Sequence, residues 1–272
     1  MNRYLKLVNF EINRASKLFA SLLAIVAVSQ FAGVVVRSKN YLSEANRVMR
    51  EQPVTQAEFL NSHGTISFSQ IITSLWFLGP IALSSALLIL YIFLIWYRDW
   101  FGKNTFIYRL LMLPTERINI FFAKATAIVL LVFGLIAFQL ILLPLQQTLF
   151  ESLVPAEFLG YSDYHHALNS FWFLSLIIPY SFDQFLVSYG IGIMAVFLLF
   201  TAILFERSFR WKGIVIGILF IIFVGLLLLT PFLVEDVLYP KELLLLEGVL
   251  LISITVLSII ISRFLLNKKI TV

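Results

Sequence analysis

Two runs, AIVLLVFGLIAFQLILL from Ala127 to Leu143 and GILFIIFVGLLLL from Gly217 to Leu229, decide the fold class of this chain. Neither run alternates apolar with polar residues, as the strands of a membrane β-barrel do. Both are apolar on every face, which is typical of helices surrounded by lipid or by other helices. A helix needs about 20 mainly apolar residues to cross the hydrocarbon core of a bilayer. The two runs therefore predict membrane-spanning α-helices.

The same criterion of length and apolarity, applied along the whole chain, finds six candidate spans. Each is predicted to be a helix, because backbone exposed to lipid must satisfy its own hydrogen bonds. We expect an all-α integral membrane protein with one transmembrane domain over residues 1–272. The predicted spans are residues 18–36, 70–97, 120–145, 184–205, 213–234 and 243–266.

The composition leads to the same fold class. Of the 272 residues, 60% are hydrophobic and 13% are charged, whereas soluble domains have about 45–50% apolar and about 25% charged residues. The net charge of +5 comes from short basic clusters between long apolar runs, a pattern that indicates membrane topology and no nucleic-acid partner. The chain has no cysteine, so it forms neither a disulfide framework nor a thiolate zinc site.

The distribution of lysine and arginine predicts the orientation of the spans. Fifteen of the 20 basic residues fall on the side of the amino terminus, and the long loop from Gln146 to Asp183 contains none. Basic residues are enriched on the cytoplasmic side of membrane proteins. We therefore expect a multi-pass protein of a bacterial plasma membrane with both termini in the cytoplasm.

Some segments are expected to depart from simple spanning helices. Phe171 to Ile178 is apolar but too short to cross, so it is predicted to be an interfacial or re-entrant piece on the outer face. The stretch Asn40–Gln52 predicts a short external helix in the first outer loop. Proline removes a backbone donor, so Gly79-Pro80 and Pro144 are expected to kink or end their helices.

The phosphate-binding loop of an ATPase, GxxxxGK[ST], is absent. The Gly102-Lys103 pair is followed by Asn104 and has Tyr97 where the first glycine belongs. Gly190 opens a GxGxxA pattern, but this pattern lies inside a predicted span and follows no strand. The chain is therefore predicted not to be an enzyme, and any ATP-driven function would need a separate ATPase.

Few ionisable residues lie within the predicted spans, although such residues usually mark function in membrane proteins. Glu247 lies either just inside the sixth span or at the outer interface. The histidines, His63 and the pair His165-His166, fall in predicted outer loops. We expect no metal or cofactor in this chain, but a membrane enzyme that uses Glu247 or His165-His166 stays open as an alternative. The scarcity of charge disfavours an ion-coupled carrier and indicates an external energy source.

The longest cytoplasmic stretch between spans, YRDWFGKNTFIYRLLMLPTERINIFFAK from Tyr97 to Lys124, is amphipathic. Phe106 and Leu110 recur at helical spacing, and Pro114 breaks the pattern. Thr115 is expected to be the N-cap of the helix that enters the third span. The stretch predicts a short helix at the inner membrane surface between spans two and three.

This stretch resembles the coupling region of ABC-2 type transporter permeases, which has a Leu-x-x-Pro-x-x-Arg core followed by an apolar residue and a lysine. The matching residues are LMLPTER, from Leu111 to Arg117, then Ile120 and Lys124. The opening LVNFEINRASKLFASLLAI, from Leu7 to Ile25, resembles the amphipathic first helix of that family. One departure is Asn104-Thr105, where many relatives have Gly-Thr.

The resemblance implies a permease half that exports a peptide, drug or lipid-like substrate as a homodimer or heterodimer. ABC ATPase subunits, which bind ATP and Mg²⁺, would receive the coupling helix. A membrane sensor or peptide-immunity component that moves nothing is the alternative. The residues implied for ATPase coupling are Tyr108, Arg109, Leu113, Pro114, Thr115, Glu116 and Arg117, and those implied for packing in the dimer are Gly213 and Gly217.

Overall fold

The computed structural model describes residues 3–51, 55–101, 106–160, 174, 177–179, 181–234 and 236–270. Three features of the sequence lie outside these ranges: the Asn104-Thr105 departure, the His165-His166 pair and most of the short apolar segment Phe171–Ile178. They are not considered further as structure.

The described residues form helices joined by short connections. A single isolated bridge between Ile66 and Leu159 is the only strand-like pairing in the ranges given above. A short 3-10 helix, Ala156–Phe158, follows the sixth helix. In chain order the helices are α1 (Arg3–Glu51), α2 (Gln56–His63), α3 (Phe68–Ile72), α4 (Leu75–Trp100), α5 (Phe106–Leu111), α6 (Ile118–Leu153), α7 (Phe182–Phe209), α8 (Trp211–Leu228), α9 (Thr230–Leu233) and α10 (Pro240–Lys268).

Six segments of the described chain are long and apolar enough to cross a membrane, which confirms the prediction of a multi-pass helical membrane protein. Only 17–33% of the most apolar window in each segment is buried within the protein. The remaining apolar surface needs lipid to cover it. The segments are Arg3–Glu51, Leu75–Trp100, Ile118–Leu153, Phe182–Phe209, Trp211–Leu233 and Pro240–Lys268.

The helix boundaries differ from the sequence prediction in the first outer loop. Helix α1 continues to Glu51, so the predicted external helix at Asn40–Gln52 is the carboxyl end of α1. The second predicted span began at residue 70, but α4 begins at Leu75 after the separate short helix α3. The stretch NYLSEANRVMRE contains neither glycine nor proline, the two strongest helix breakers, so nothing in it ends α1 before Glu51.

Neither proline ends its helix. Pro144 lies within α6, and Pro80 lies within α4. Pro80 cannot donate to the carbonyl of Trp76, four residues earlier. The Ser29 hydroxyl of α1 lies 3.5 Å from that carbonyl and donates to it. Neighbouring helices commonly satisfy the backbone that a proline releases inside a membrane.

The chain divides into two compact units, called unit I and unit II here. Unit I comprises Met1–Ala15, Leu88–Leu131 and Ser181–Val272, and unit II comprises Ser16–Leu87 and Val132–Tyr180. Helices α1, α4 and α6 each contribute residues to both units.

Unit I is built around α7, which packs against α8 and α10. An apolar core of Met194, Val224 and Ile254 joins these three helices. The hydroxyl of Thr201 on α7 also lies 3.0 Å from the Ser262 hydroxyl of α10. Small and hydroxylated residues at such contacts let membrane helices approach closely and hydrogen-bond across the interface.

Unit II contains a continuous apolar core, in which Phe68 and Ile72 of α3 are almost fully buried. A second feature is a buried cluster of three amides. Gln30 of α1 and Gln139 of α6 exchange hydrogen bonds of 3.1 and 3.2 Å, and the Gln146 amide donates to Gln30 Oε1 at 2.9 Å. The three side chains belong to residues exposed by 6% or less. These amides lie in or beside long apolar runs, where reasoning from the sequence considered only ionisable residues.

Candidate functional site

A buried lysine lies at the centre of the candidate site, in unit I. The ammonium group of Lys124 on α6 donates to Glu11 Oε1 at 2.7 Å, to the Ile95 carbonyl at 2.8 Å and to the Asp99 carboxylate. Lys124 and Asp99 are fully buried, and the Glu11 side chain is 4% exposed. An ammonium group has three donors. Each of the three therefore has an acceptor.

Two arginines form an outer layer around the buried lysine. Arg14 of α1 donates to Asp99 Oδ1 at 2.7 Å, and Arg98 of α4 donates to Glu11 Oε2 at 3.2 Å. Their side chains are 25% and 29% exposed. Each carboxylate therefore binds two cations, one buried and one near the surface. We call these five side chains the charge network.

The charge network joins the ends of three helices that enter the membrane. Its members come from α1, α4 and α6. Glu11 of α1 is bound to residues of α4 and α6, and Asp99 of α4 is bound to residues of α1 and α6. Removing one partner from a buried ion pair costs about 3–5 kcal/mol, because the other charge is left buried and unpaired. The three helices are therefore strongly held to one another at this point.

Helix α5 presents two chemically different faces. Ile107, Leu110 and Leu111 are buried in unit I, whereas Tyr108 is 38% exposed and Arg109 is exposed. This division follows from residue spacing, because positions 107, 110 and 111 lie on one side of a helix. The residues after α5 continue the exposed surface: Met112 is 70% exposed and Leu113 is 40% exposed. We call the residues Tyr108, Arg109, Met112, Leu113, Pro114 and Glu116 the exposed strip.

Helix α5 is in direct contact with the charge network. The Phe106 ring stacks on Phe10 of α1 at a centroid distance of 5.7 Å. The Arg14 guanidinium lies over both rings, 5.1 Å from Phe10 and 5.4 Å from Phe106. Such cation–π contacts contribute about 0.5–2 kcal/mol each. Arg14 therefore connects α5 to Asp99 and, through Asp99, to Lys124.

The connection between α5 and α6 differs from its prediction. Helix α6 begins at Ile118, so Thr115 is not its N-cap, and the Thr115 hydroxyl has no hydrogen-bond partner in the described part of the chain. Arg117 donates through one nitrogen to the carbonyls of Leu266 and Ile270, both at 2.8 Å. It therefore satisfies carbonyls at the carboxyl end of α10, where a cation is favoured.

The coupling residues predicted from the resemblance thus separate into two groups. Tyr108, Arg109, Leu113, Pro114 and Glu116 lie on the exposed strip. Thr115 and Arg117 are partly buried, and Arg117 is bound to α10. Contact of any of them with an ATPase stays a prediction.

The predicted dimer-packing glycines lie against α7 of the same chain. A Cβ atom at Gly213 would be 1.9 Å from the Phe205 carbonyl oxygen, and one at Gly217 would be 3.3 Å from that of Ala202. Gly213 and Gly217 therefore allow α7 and α8 to approach closely. Their contact with a second permease chain stays a prediction.

The other residues considered from the sequence have simpler surroundings. Glu247 lies within α10 and is half-buried. His63 ends α2, where its ring stacks on Phe59 at 4.6 Å. Within the described ranges, no three His, Cys, Asp or Glu side chains lie close enough to hold a metal ion.

Reasoning from the sequence did not identify the charge network. Lys124 and the stretch that contains Glu11 and Arg14 carry the family resemblance, but the sequence does not predict that these residues contact one another, and nothing in it singles out Asp99. The detectable signal was that Asp99 and Lys124 lie beside long apolar runs, where an ionisable residue is costly and usually paired.

Comparisons of the chain with models of known protein families, with curated proteins and with solved structures gave no significant match.

Proposed function

We propose that this chain is the transmembrane permease subunit of an ATP-driven transporter of the ABC-2 type. A separate ATPase subunit, which binds ATP and Mg²⁺, energises it, and a second permease chain completes the transport pathway. The substrate is a peptide, drug or lipid-like molecule moved out of the cell. The chain itself performs no chemistry.

One observation carries the proposal. A short helix between the second and third spans buries one face in unit I and leaves the side chains of the exposed strip accessible among the described residues, while its Phe106 ring contacts Phe10 and Arg14. Tyr108 and Leu113 supply exposed apolar surface on this strip, and Arg109 supplies a charge. Mixed apolar and cationic surfaces of this kind are typical of protein-binding hot spots. We infer that the ATPase binds here.

The charge network gives the bound ATPase a mechanical connection to the spans. A movement of α5 pushes on Arg14, which is bound to Asp99, and Asp99 is bound to Lys124. Because the three helices are joined by buried ion pairs, their ends move together. Rigid-body movement of helix groups is a common way for a nucleotide cycle to switch a protein between two states.

Co-purification of the partner tests the proposal. A tagged full-length chain, extracted from its native membrane, is expected to retain an ATPase subunit with a phosphate-binding loop, identified by mass spectrometry and by ATP hydrolysis. Leu113→Asp adds a charge to the exposed strip and should release this subunit without lowering the melting temperature. The matched control is Lys212→Asp, an exposed residue at the start of α8, which should keep it.

The proposal is wrong if no ATPase is retained, or if both variants behave alike. Reconstitution of the complex in proteoliposomes distinguishes transport of the substrate from binding of the substrate without transport. A transporter hydrolyses ATP faster when its substrate is present, whereas a sensor or immunity component that only sequesters a peptide shows no such stimulation. Glu247→Ala should leave this stimulation intact. Loss of activity in that variant would favour a membrane enzyme.

A further inference from the structure

The turn between α7 and α8 in unit I borders an open cavity of about 560 Å³ that the charge network does not use. Two tryptophans, two arginines, one glutamate and one isoleucine line it. Tryptophan and arginine together are typical of the level of lipid headgroups in membrane proteins. The lining residues are Trp100, Glu206, Arg207, Arg210, Trp211 and Ile214.

Aromatic rings hold one of the two arginines in place. The Arg207 guanidinium lies 4.7 Å from the centre of the Tyr97 ring, 5.5 Å from that of Trp100 and 5.2 Å from that of Phe101. The nearest carboxylate, that of Glu206, is 3.9 Å away and accepts a hydrogen bond from the Tyr97 hydroxyl. The cation is therefore positioned mainly by rings, and the lining carries one positive charge in excess.

Two buried donors at the cavity have no acceptor. Arg207 Nε and the Trp100 indole nitrogen are both shielded from water and find no hydrogen-bond partner in the described part of the chain. Buried donors without partners are rare in native proteins and call for an explanation. Helix α8, which begins at this turn, also has no side-chain cap for its first N–H groups. The surroundings of the cavity thus offer donors without acceptors.

The second arginine is held in a strained backbone conformation. Arg210 has φ of +53° and ψ of −128° and is the only residue other than glycine with positive φ in the described chain. Glycine adopts this conformation readily, whereas an arginine there costs of order 1–3 kcal/mol. Residues that keep such strain cluster at ligand sites. An arginine at a position suited to glycine points to a need for its charge.

We propose that this cavity binds the phosphate of an anionic phospholipid headgroup from the cytoplasmic leaflet. The two guanidinium groups match the acceptor oxygens of a phosphate, which arginine recognises well. On binding, a rotation of the Arg207 and Trp100 side chains brings their donors, which are shielded in the unbound structure, to the same anion. The Trp211 side chain is 84% exposed. Its indole and the side chain of Ile214 provide apolar surface for the glycerol and the first acyl carbons. The basic residues around the turn fall on the side predicted to be cytoplasmic, where anionic lipids attract them. This inference does not depend on the proposed transport function.

Thermal unfolding of the purified full-length chain in detergent provides the test. A ligand that binds only the folded state raises the melting temperature. We expect phosphatidylglycerol to raise it, whereas phosphatidylcholine and inorganic phosphate at equal concentration leave it unchanged. Native mass spectrometry should show a retained phosphatidylglycerol molecule on the same chain.

Two variants locate the effect without disturbing the fold. Arg210→Gly removes the charge and suits the positive φ, so the variant should fold at least as well as the wild type but lose the phosphatidylglycerol shift. Trp100→Phe keeps the ring over Arg207, removes the donor and should reduce the shift. The control is Lys212→Gln, an equal loss of charge at an exposed residue that does not line the cavity. It should retain the full shift.

Three results would overturn the proposal. No shift with phosphatidylglycerol in the wild type would exclude the site. An equal loss of the shift in Arg210→Gly and Lys212→Gln would reduce it to a general effect of net charge. A shift of the same size with inorganic phosphate would assign the cavity to a free anion.

Discussion

The two units each bury a polar cluster, but the cluster in unit I is made of charged side chains and the cluster in unit II of neutral amides. In unit I, the charge network matches all three donors of Lys124 with acceptors, and each carboxylate binds two cations. In unit II, Gln30, Gln139 and Gln146 share three hydrogen bonds, and Gln146 Oε1 is left without a partner among the described residues.

The difference reflects the cost of burying a charge compared with burying an amide. An unpaired charge in a low-dielectric interior costs several kcal/mol, so each buried charge needs an opposite charge. The charge network meets this requirement, although Arg98 Nε has no hydrogen-bond partner among the described residues. An unsatisfied amide oxygen costs about 1–3 kcal/mol, which a well-packed helix bundle tolerates. We therefore expect unit I to respond to a single substitution far more strongly than unit II.

The largest effect is expected for Lys124→Met, which leaves Glu11 Oε1, Asp99 Oδ2 and the Ile95 carbonyl buried without their shared donor, although Arg98 and Arg14 still pair the two carboxylates. Each buried acceptor left unsatisfied costs about 1–3 kcal/mol. The free energy of unfolding should fall by about 3–5 kcal/mol, seen as a large loss of melting temperature and of folded protein in the membrane. Lys6→Met, an exposed lysine of α1, is the control and should change little. If the two variants had equal melting temperatures, the buried network would have no role in stability.

A second experiment replaces the three most buried members of the charge network, Glu11, Asp99 and Lys124, together. The triple variant Glu11→Gln, Asp99→Asn, Lys124→Met also neutralises the two buried carboxylates, each of which keeps a single arginine in the single variant. It should recover part of the lost stability, since replacing a buried ion cluster completely is often less harmful than breaking it. A triple variant less stable than Lys124→Met would contradict this account.

The next effect concerns the glycines at which helices approach most closely in each unit. Gly213→Ala in unit I places a methyl group 1.9 Å from a backbone oxygen, and Gly33→Ala in unit II places one 2.4 Å from the Trp76 Cβ atom. Both should cost about 1–3 kcal/mol through overpacking. Gly225→Ala is the control, because nothing lies within 4 Å of a Cβ there. Its melting temperature should be unchanged or raised, as alanine favours a helix.

A smaller effect is expected for Gln30→Leu in unit II. This change removes the common partner of Gln139 and Gln146, and the loss should be about 1–2 kcal/mol, because hydrogen bonds between membrane helices contribute little each. Replacing all three glutamines by leucine should be close to neutral. Thermal unfolding of both variants measures these losses. The expected contrast between the units is contradicted if Gln30→Leu lowers the melting temperature as much as Lys124→Met does.

The smallest effect lies outside the spans, at the start of α2. The Thr55 backbone N–H donates to Glu58 at 2.8 Å, and its hydroxyl at 2.9 Å. These bonds hold the pKa of Glu58 below its ordinary value. Because the folded pKa is the lower one, the contribution is present above the unfolded pKa and is lost as pH falls through the folded pKa.

Carbon-13 NMR of the Glu58 carboxyl checks this last prediction. Its titration midpoint should lie below that of glutamate in a model peptide, and Thr55→Ala, which removes the hydroxyl, should raise it. A midpoint at or above the peptide value would show that the cap is absent in solution.

Much of the fold could be predicted from residue patterns alone. Long apolar runs such as Ala127–Leu143 identify spans because crossing a bilayer is a local requirement of length and composition. The boundaries were harder to predict. Helix α1 extends to Glu51 and α6 continues through Pro144, because a helix ends only where an interaction or a breaker favours its end, and proline inside a membrane is tolerated.

The candidate site was predicted less completely. The amphipathic stretch predicted a short helix between the second and third spans, and α5 lies there. The coupling role of the residues on and after this helix stays a prediction. The same reasoning gave Thr115 and Arg117 surface roles that depend on where α6 begins and on what lies nearby. Arg117 binds the carbonyls of Leu266 and Ile270, which are 149 and 153 residues further along the chain. No local sequence pattern predicts a partner at such a distance.

The sequence by itself thus determined that the chain suits a lipid environment and that six of its described segments are long and apolar enough to cross a membrane. It also singled out the stretch between the second and third of these segments. These properties depend on apolar length and on charge count, which are readable residue by residue. Only the tertiary structure decided that Glu11, Asp99 and Lys124 meet, although Glu11 and Lys124 are 113 residues apart. The physical reason is that pairing buried charges is a property of helix packing. Each charge is costly alone, and only the folded arrangement provides its partner.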